Sequence, residues 1–144
     1  MFDRTVSVFN YHKADGKWYV SVIKGCSLVD TYSSSRGGYG VGNTGSANIH
    51  FHCSKNQVFK IGSIRKKYVD PLTYQGKDDV SKVLTFTPEK DFVAVDVAIE
   101  DKVISDSDYE NGLYDFMNKN LDSVHMITNA AWYNLLPHFV VGTK

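Results

Sequence analysis

The pattern of apolar and polar residues predicts a chain built mainly of short β-strands. Two apolar, β-branched and aromatic segments, 5–11 and 18–23, lie close together near the N terminus. Between them stands Ala14-Asp15-Gly16, which favours a tight turn because Gly tolerates positive φ and Asp can bond its own backbone. The sequence therefore predicts an N-terminal β-hairpin, with a third strand over 26–32.

The clearest alternation falls at residues 47–52. Ala47, Ile49 and Phe51 should point to one side of this strand, and the polar residues between them to the other. Further strands are predicted at 58–68 (one or two), 84–86, 92–99 (with Val93, Val95, Val97 and Ile99 on one face), 124–129 and 139–141.

One helix is predicted, over about residues 107–119. Ser107 and Glu110 match a capping box, and Leu113, Phe116 and Met117 form an apolar stripe at helical spacing. Asp70-Pro71 is interpreted only as a break in the chain. The expected fold is mainly β, an antiparallel sandwich or small barrel with one short α-helix near the C-terminal third.

A loop rich in Gly and Ser interrupts this pattern at residues 33–46. It holds five glycines and four serines, too little apolar surface to bury, so we expect a flexible loop within a single domain of residues 1–144. One interpretation is an excursion without function. The other is a contact loop, because Tyr and Arg are enriched at interfaces. The predicted interface residues are Tyr32, Arg36 and Tyr39, together with the basic run Arg65, Lys66 and Lys67.

The two parts of the chain carry opposite charge. Residues 1–67 hold ten Lys or Arg and three acids, giving +7, whereas residues 68–144 hold six and thirteen, giving −7. Either both sets mingle on one surface, or the subunit has a basic and an acidic side suited to head-to-tail contacts in a ring. The net charge of zero argues against general nucleic-acid binding.

Residues with catalytic or ligand-binding chemistry are few. His50 and His52 share one strand face and are weak candidates for metal ligands, but no third ligand is placed by the sequence. No nucleophile elbow or phosphate-binding loop occurs, so we expect neither an enzyme nor a cofactor. Cys26 and Cys53 are expected to be free thiols. No apolar run suggests a membrane span or an export signal.

Several short blocks of the chain form a recognisable order: 5–11, Trp18 with 22–25, 67–71, 84–86 with 90–95, 122–128 and 137–144. Taken together, these blocks resemble a family of small late-gene virion proteins of phages and prophages from Gram-positive hosts, encoded among the head and head–tail joining genes. The chain departs from the family pattern at Leu84-Thr85-Phe86, where the family has Trp-Thr-Leu, and at 138–143, where it has His-Trp and a glycine pair.

The resemblance implies a neck protein: a head-closure subunit of the head–tail connector, in a homo-oligomeric ring between portal adaptor and tail. Such a ring would form a passive channel for DNA within the virion, after assembly in the host cytoplasm. A minor capsid or decoration protein is the second structural reading. A carbohydrate- or ligand-binding β-domain is the third, suggested by Trp18, Tyr39, Trp132 and Tyr133 as surface aromatics.

Overall fold

Six antiparallel strands close into a β-barrel. The computed structural model describes residues 4–30 and 47–144, except for the side chain of Asp30. The barrel strands are β1 (Arg4–His12), β2 (Lys17–Asp30), β3 (Ala47–His52), β7 (Phe92–Val95), β9 (Val124–Tyr133) and β10 (His138–Thr143). Around the barrel the order is β1-β7-β9-β10-β3-β2, and β2 pairs back onto β1 to complete the ring of strands. This confirms the mainly β prediction and selects the barrel over the sandwich.

Strand β2 is long enough to contact three other strands. Its first part pairs with β1, and its last residues, 27–30, pair with β3. The pairing with β1 shifts register near Gly25, whose φ of 74° lies in the left-handed region. The segment predicted as a separate third strand is therefore the continuation of β2 beyond this irregularity. β8 (Val103–Ser105) joins β2 at 17–19.

A smaller three-stranded sheet packs on the barrel. It consists of β4 (Val58–Ile61), β5 (Ile64–Tyr68) and β6 (Val83–Leu84), so the prediction of one or two strands at 58–68 is confirmed as two. A short helix, α1 (Pro71–Gly76), connects β5 to β6. Asp70 caps it by accepting a hydrogen bond from the Thr73 amide at 3.0 Å. The interpretation of Asp70-Pro71 as a simple break was wrong, because Asp at the N-cap and Pro at the first helical position also start a helix.

Apolar side chains form two clusters, one inside the barrel and one outside it. The outer cluster lies between the strands β1, β2, β7 and β9 and the helix α2 (Leu113–Asn120). Strand β1 is buried on both faces because Val8 points into the barrel and Phe9 into the outer cluster. The buried members of the barrel cluster are Val6, Val8, Ile23, Cys26, Ile49, Phe51, Phe59, Leu84, Phe86, Val93, Val95, Ile127, Phe139 and Val141; those of the outer cluster are Phe9, Trp18, Val20, Phe92, Ala94, Leu113, Met117 and Val124.

The predicted helix exists but begins later than expected. Residues 106–108 form a single 3₁₀ turn, and α2 starts after Gly112, whose φ is 89°. Ser107 and Glu110 do not cap α2; the carboxylate of Asp106 accepts the Leu113 amide at 2.8 Å instead. No described helix is long and apolar enough to cross a membrane.

The strand predicted at 92–99 is also shorter than expected. It ends at Val95 because Asp96 adopts a φ of 63°, which breaks the extended backbone. Val93 and Val95 consequently pack inside the barrel, whereas Val97 and Ile99 pack against the outer cluster. The prediction that all four lie on one face was wrong.

Candidate interaction surfaces

The residues predicted to form an interface do not form one surface. Tyr32 and the whole 33–46 loop, which includes Arg36 and Tyr39, lie outside the described residues. On β5, Arg65 and Lys67 are exposed, and Lys67 donates to the Asn56 carbonyl at 2.8 Å. Lys66 points to the opposite side and is 5% exposed. The alternation of β5 thus separates the basic run, which the prediction had treated as one patch.

The turn between β9 and β10 exposes large apolar side chains. Leu135 is 90% and Leu136 75% exposed, and Tyr133 at the end of β9 is 51% exposed. None of these three side chains belongs to either apolar cluster. Adjacent exposed apolar residues of this size are typical of a contact surface. We call this set, with His138, His52 and His50, the hairpin surface.

The backbone of the same hairpin has an edge with few partners. Strand β9 pairs with β10 from Ile127 to Tyr133, and its pairing with β7 covers only Val124–Met126. Within the described part of the chain, the outer half of β9 therefore has a single strand neighbour. An unpaired edge presents amide and carbonyl groups that another strand can bind.

Aromatic and imidazole rings continue the hairpin surface across three strands. Tyr133 and His52 both lie opposite His138 in the register, on β9 and β3 respectively. The His138 ring stacks on Tyr133 with centroids 5.2 Å apart and on His50 with centroids 5.4 Å apart. Partial burial, followed by the neighbouring His138 and His52 rings, lowers the pKa of His50. His50 is therefore best suited to contact another surface while neutral.

The same histidines were the weak candidates for metal ligands. The structure adds His138 as a third imidazole, which the sequence could not place beside His50 and His52. The His50 and His138 rings are stacked, with an angle of only 16° between their planes. Over the ranges that the structure describes, no group of three or more His, Cys, Asp or Glu side chains is placed to hold a metal ion.

A second surface feature is a cavity of about 930 Å³ beside β2, lined by five lysines. It lies along 19–24 of β2, between the residues that pair with β8 and those that pair with β3. The turn between β4 and β5 and the segment 99–103 form its other walls. We call it the lysine cavity; its lysines are Lys24, Lys60, Lys66, Lys82 and Lys102.

Lys66 is the buried member of the lysine cavity. Its ammonium donates to the Ser21 hydroxyl at 2.8 Å and lies 3.5 Å from the Val20 carbonyl oxygen. Burial, with a smaller contribution from Lys102, lowers the pKa of Lys66 to about 8.

Lysines from both halves of the sequence meet in the lysine cavity, and Arg4 of the basic half pairs with Asp96 of the acidic half at 2.6 Å. In these places the two halves mingle and do not form separate sides.

Of the aromatics expected at the surface, Trp18 is buried and Trp132 is partly buried. Trp18 is 2% exposed, and its indole N–H donates to Asp106 at 2.8 Å. Trp132 packs on Phe139 with ring centroids 5.0 Å apart and borders the barrel cluster. Tyr39 lies outside the described residues, so Tyr133 is the one aromatic of this set that the structure shows to be exposed. The buried Trp18 therefore cannot be a surface contact for a carbohydrate, and that function stays a prediction.

Leu135 and Leu136 were missed in the sequence although a signal was present. Two leucines stand within Asn134-Leu135-Leu136-Pro137, a turn sequence between two strands, where polar residues are usual. The lysine cavity left no such signal, because its lysines come from four separate segments that only the fold brings together.

Comparison with known proteins gives no relative to guide the interpretation. No protein-family model, curated protein or solved structure matches this chain. The hairpin surface and the lysine cavity must therefore be interpreted from their own chemistry.

Proposed function

We propose that this protein is a structural subunit that assembles with copies of itself into a ring through the hairpin surface. The observation that carries the proposal is the exposure of Leu135 and Leu136 at the tip of the β9–β10 hairpin, where the end of β9 has β10 as its single strand neighbour among the described residues. A second copy is the proposed occupant because repeated copies in a ring can each offer one hairpin to the next subunit. Strand addition along β9 would supply backbone hydrogen bonds, and the leucines would supply apolar burial.

The leucines are large enough to matter for such a contact. Burying a leucine side chain fully is worth about 1.5–3 kcal/mol. Because Leu135 and Leu136 are 90% and 75% exposed, covering both would contribute about 3–5 kcal/mol to each contact. That corresponds to a change in the dissociation constant of roughly 100-fold to 5,000-fold.

The ring that we propose is the neck of a phage particle, with this chain as a head-closure subunit between portal adaptor and tail. The sequence blocks that resemble late-gene virion proteins support this identity, and a small barrel with a projecting hairpin is compatible with it. In this proposal the ring has no catalytic task, and DNA passes through it. A minor capsid or decoration protein would use the same hairpin surface on the shell.

The self-assembly proposal is tested by measuring mass in solution. Mass photometry and sedimentation would compare the wild type with the Leu135→Ser/Leu136→Ser double variant, alone and on purified portal–adaptor complexes. Leu72→Ser is the matched control, because Leu72 is 83% exposed but belongs to α1 and not to the hairpin.

We expect oligomers for the wild type and for Leu72→Ser, in at least one of the two settings, and monomers for the double variant. Circular dichroism should show all three proteins folded, since none of these leucines belongs to a buried cluster. A wild type that stays monomeric both alone and on portal–adaptor complexes would contradict the proposal. So would a double variant that assembles as well as the control.

A further inference from the structure

We infer that the lysine cavity is a binding site for a small phosphorylated molecule with an apolar or aromatic body. This site is separate from the hairpin surface and does not depend on the proposed assembly. Its volume of about 930 Å³ falls at the upper end of the range typical of sites for small ligands and cofactors.

The charge of the lysine cavity selects an anion. Five lysines line it, against two acids, Glu100 and Asp101. Lys24, Lys60, Lys82 and Lys102 are exposed at their positions, so their ammonium groups can move toward a ligand. Flexible lysines act as point charges for phosphate oxygens and do not require the fixed geometry of arginine.

Lys66 gives this cavity a buried, positioned cation. At 5% exposure it is among the most buried charged residues described, a location that lysines avoid unless they are paired. Its described partners are a hydroxyl and a carbonyl oxygen, and no carboxylate of the described residues lies within ion-pair distance. An ammonium has three N–H donors. One donor of Lys66 therefore remains for a ligand oxygen, and a bound anion would supply the missing countercharge.

The rest of the cavity wall indicates what the anion is attached to. Val20, Val22, Ile61, Ile64, Ile99 and Val103 give the lining a substantial apolar surface. Tyr19 adds an aromatic side chain at the same wall. An inorganic phosphate alone would leave this apolar lining uncovered, whereas a phosphorylated molecule with an aromatic body would occupy both parts.

The test measures binding of three compounds by isothermal titration calorimetry. ATP without magnesium combines a triphosphate group with an aromatic base. Tripolyphosphate carries the negative charge without the base, and adenosine carries the base without the phosphates. The variants are Lys66→Met, which keeps an unbranched side chain of similar length, and Lys60→Met/Lys102→Met, which changes only exposed positions. Lys55→Met is the matched control, because Lys55 is exposed and does not line the cavity.

We expect ATP to bind the wild type with a dissociation constant below about 1 mM, more tightly than tripolyphosphate or adenosine. Lys66→Met should weaken ATP binding about tenfold or more, because one charge-assisted hydrogen bond is lost. The double variant should also weaken it about tenfold, and Lys55→Met by less than twofold. Should Lys66→Met fail to fold, the double variant alone decides the matter. Absence of ATP binding to the wild type would overturn the inference, as would an equal loss in Lys55→Met and the cavity variants.

Discussion

Replacing Asp106 by alanine should be among the more damaging single changes at the surface of this fold. Its carboxylate oxygen Oδ1 accepts two hydrogen bonds, one from the Trp18 indole N–H and one from the Leu113 amide, both at 2.8 Å. The first bond anchors a buried aromatic of the outer cluster, and the second caps the start of α2. Gly112 also packs closely on Asp106, since a Cβ at position 112 would lie 3.3 Å from Oδ1, and its φ of 89° favours glycine.

The magnitude follows from these two bonds. Removing a helix cap costs about 1 kcal/mol. Leaving the indole N–H of a buried tryptophan without an acceptor costs about 1–3 kcal/mol. We therefore expect Asp106→Ala to lower the free energy of unfolding by about 2–4 kcal/mol. For a chain of this size that corresponds to a fall in melting temperature of roughly 10 °C.

The assay is urea denaturation followed by tryptophan fluorescence and circular dichroism. Asp106→Asn keeps an oxygen acceptor without the charge, so its loss should be smaller than that of alanine. Asp108→Ala is the matched control, because Asp108 is exposed in the same 3₁₀ turn and should change stability by less than about 0.5 kcal/mol. If Asp106→Ala is no more destabilising than Asp108→Ala, then Asp106 is not the residue that joins α2 to the barrel.

Three further outcomes are expected. Because the folded-state pKa of Lys66 is about 8, below the ordinary 10.5, the unfolded chain binds more protons between these values. Stability from this group should therefore rise by up to about 3 kcal/mol from pH 8 to 10.5, and urea titrations of Lys66→Met should lack that rise. Burial raises the pKa of the Cys26 thiol to about 12 and that of Cys53 to about 11, so Ellman's reagent at pH 8 should label both slowly until the protein is unfolded; rapid labelling of the folded protein would refute this. The ion pair between Arg4 and Asp96 is exposed on both sides, so Arg4→Gln should cost less than about 1 kcal/mol in thermal unfolding, and a larger loss would show a structural role.

Much of the barrel could be predicted because strand patterns are local. The alternation at 47–52 and the turn at Asp15-Gly16 gave β3 and the N-terminal hairpin correctly, and both cysteines are free as expected. The end of β7 was missed because it depends on the positive φ of Asp96, which no pattern of apolar residues reports. Trp18 was expected at the surface because its burial comes from α2 and Asp106, which lie far away in sequence.

The candidate surfaces were less predictable for the same reason. Lys66 was predicted to be an interface residue of the basic run, although its side chain points toward Ser21 of β2. That contact joins residues 45 positions apart and depends on how the small sheet docks on the barrel. His138 was not linked to His50 because only the pairing of β10 with β3 brings them together. Sequence patterns indicate which side of a strand is polar, but tertiary packing decides which polar side is covered.

The most direct test of the proposed neck role is cryo-electron microscopy of intact particles that contain this chain, with focused refinement at the portal vertex. The proposal predicts a ring of these barrels between portal adaptor and tail, with Leu135 and Leu136 buried against the neighbouring subunit. Density for the chain over the shell would indicate a decoration protein instead. Density at the tail tip, or a ring whose hairpins point into solvent, would contradict the proposal.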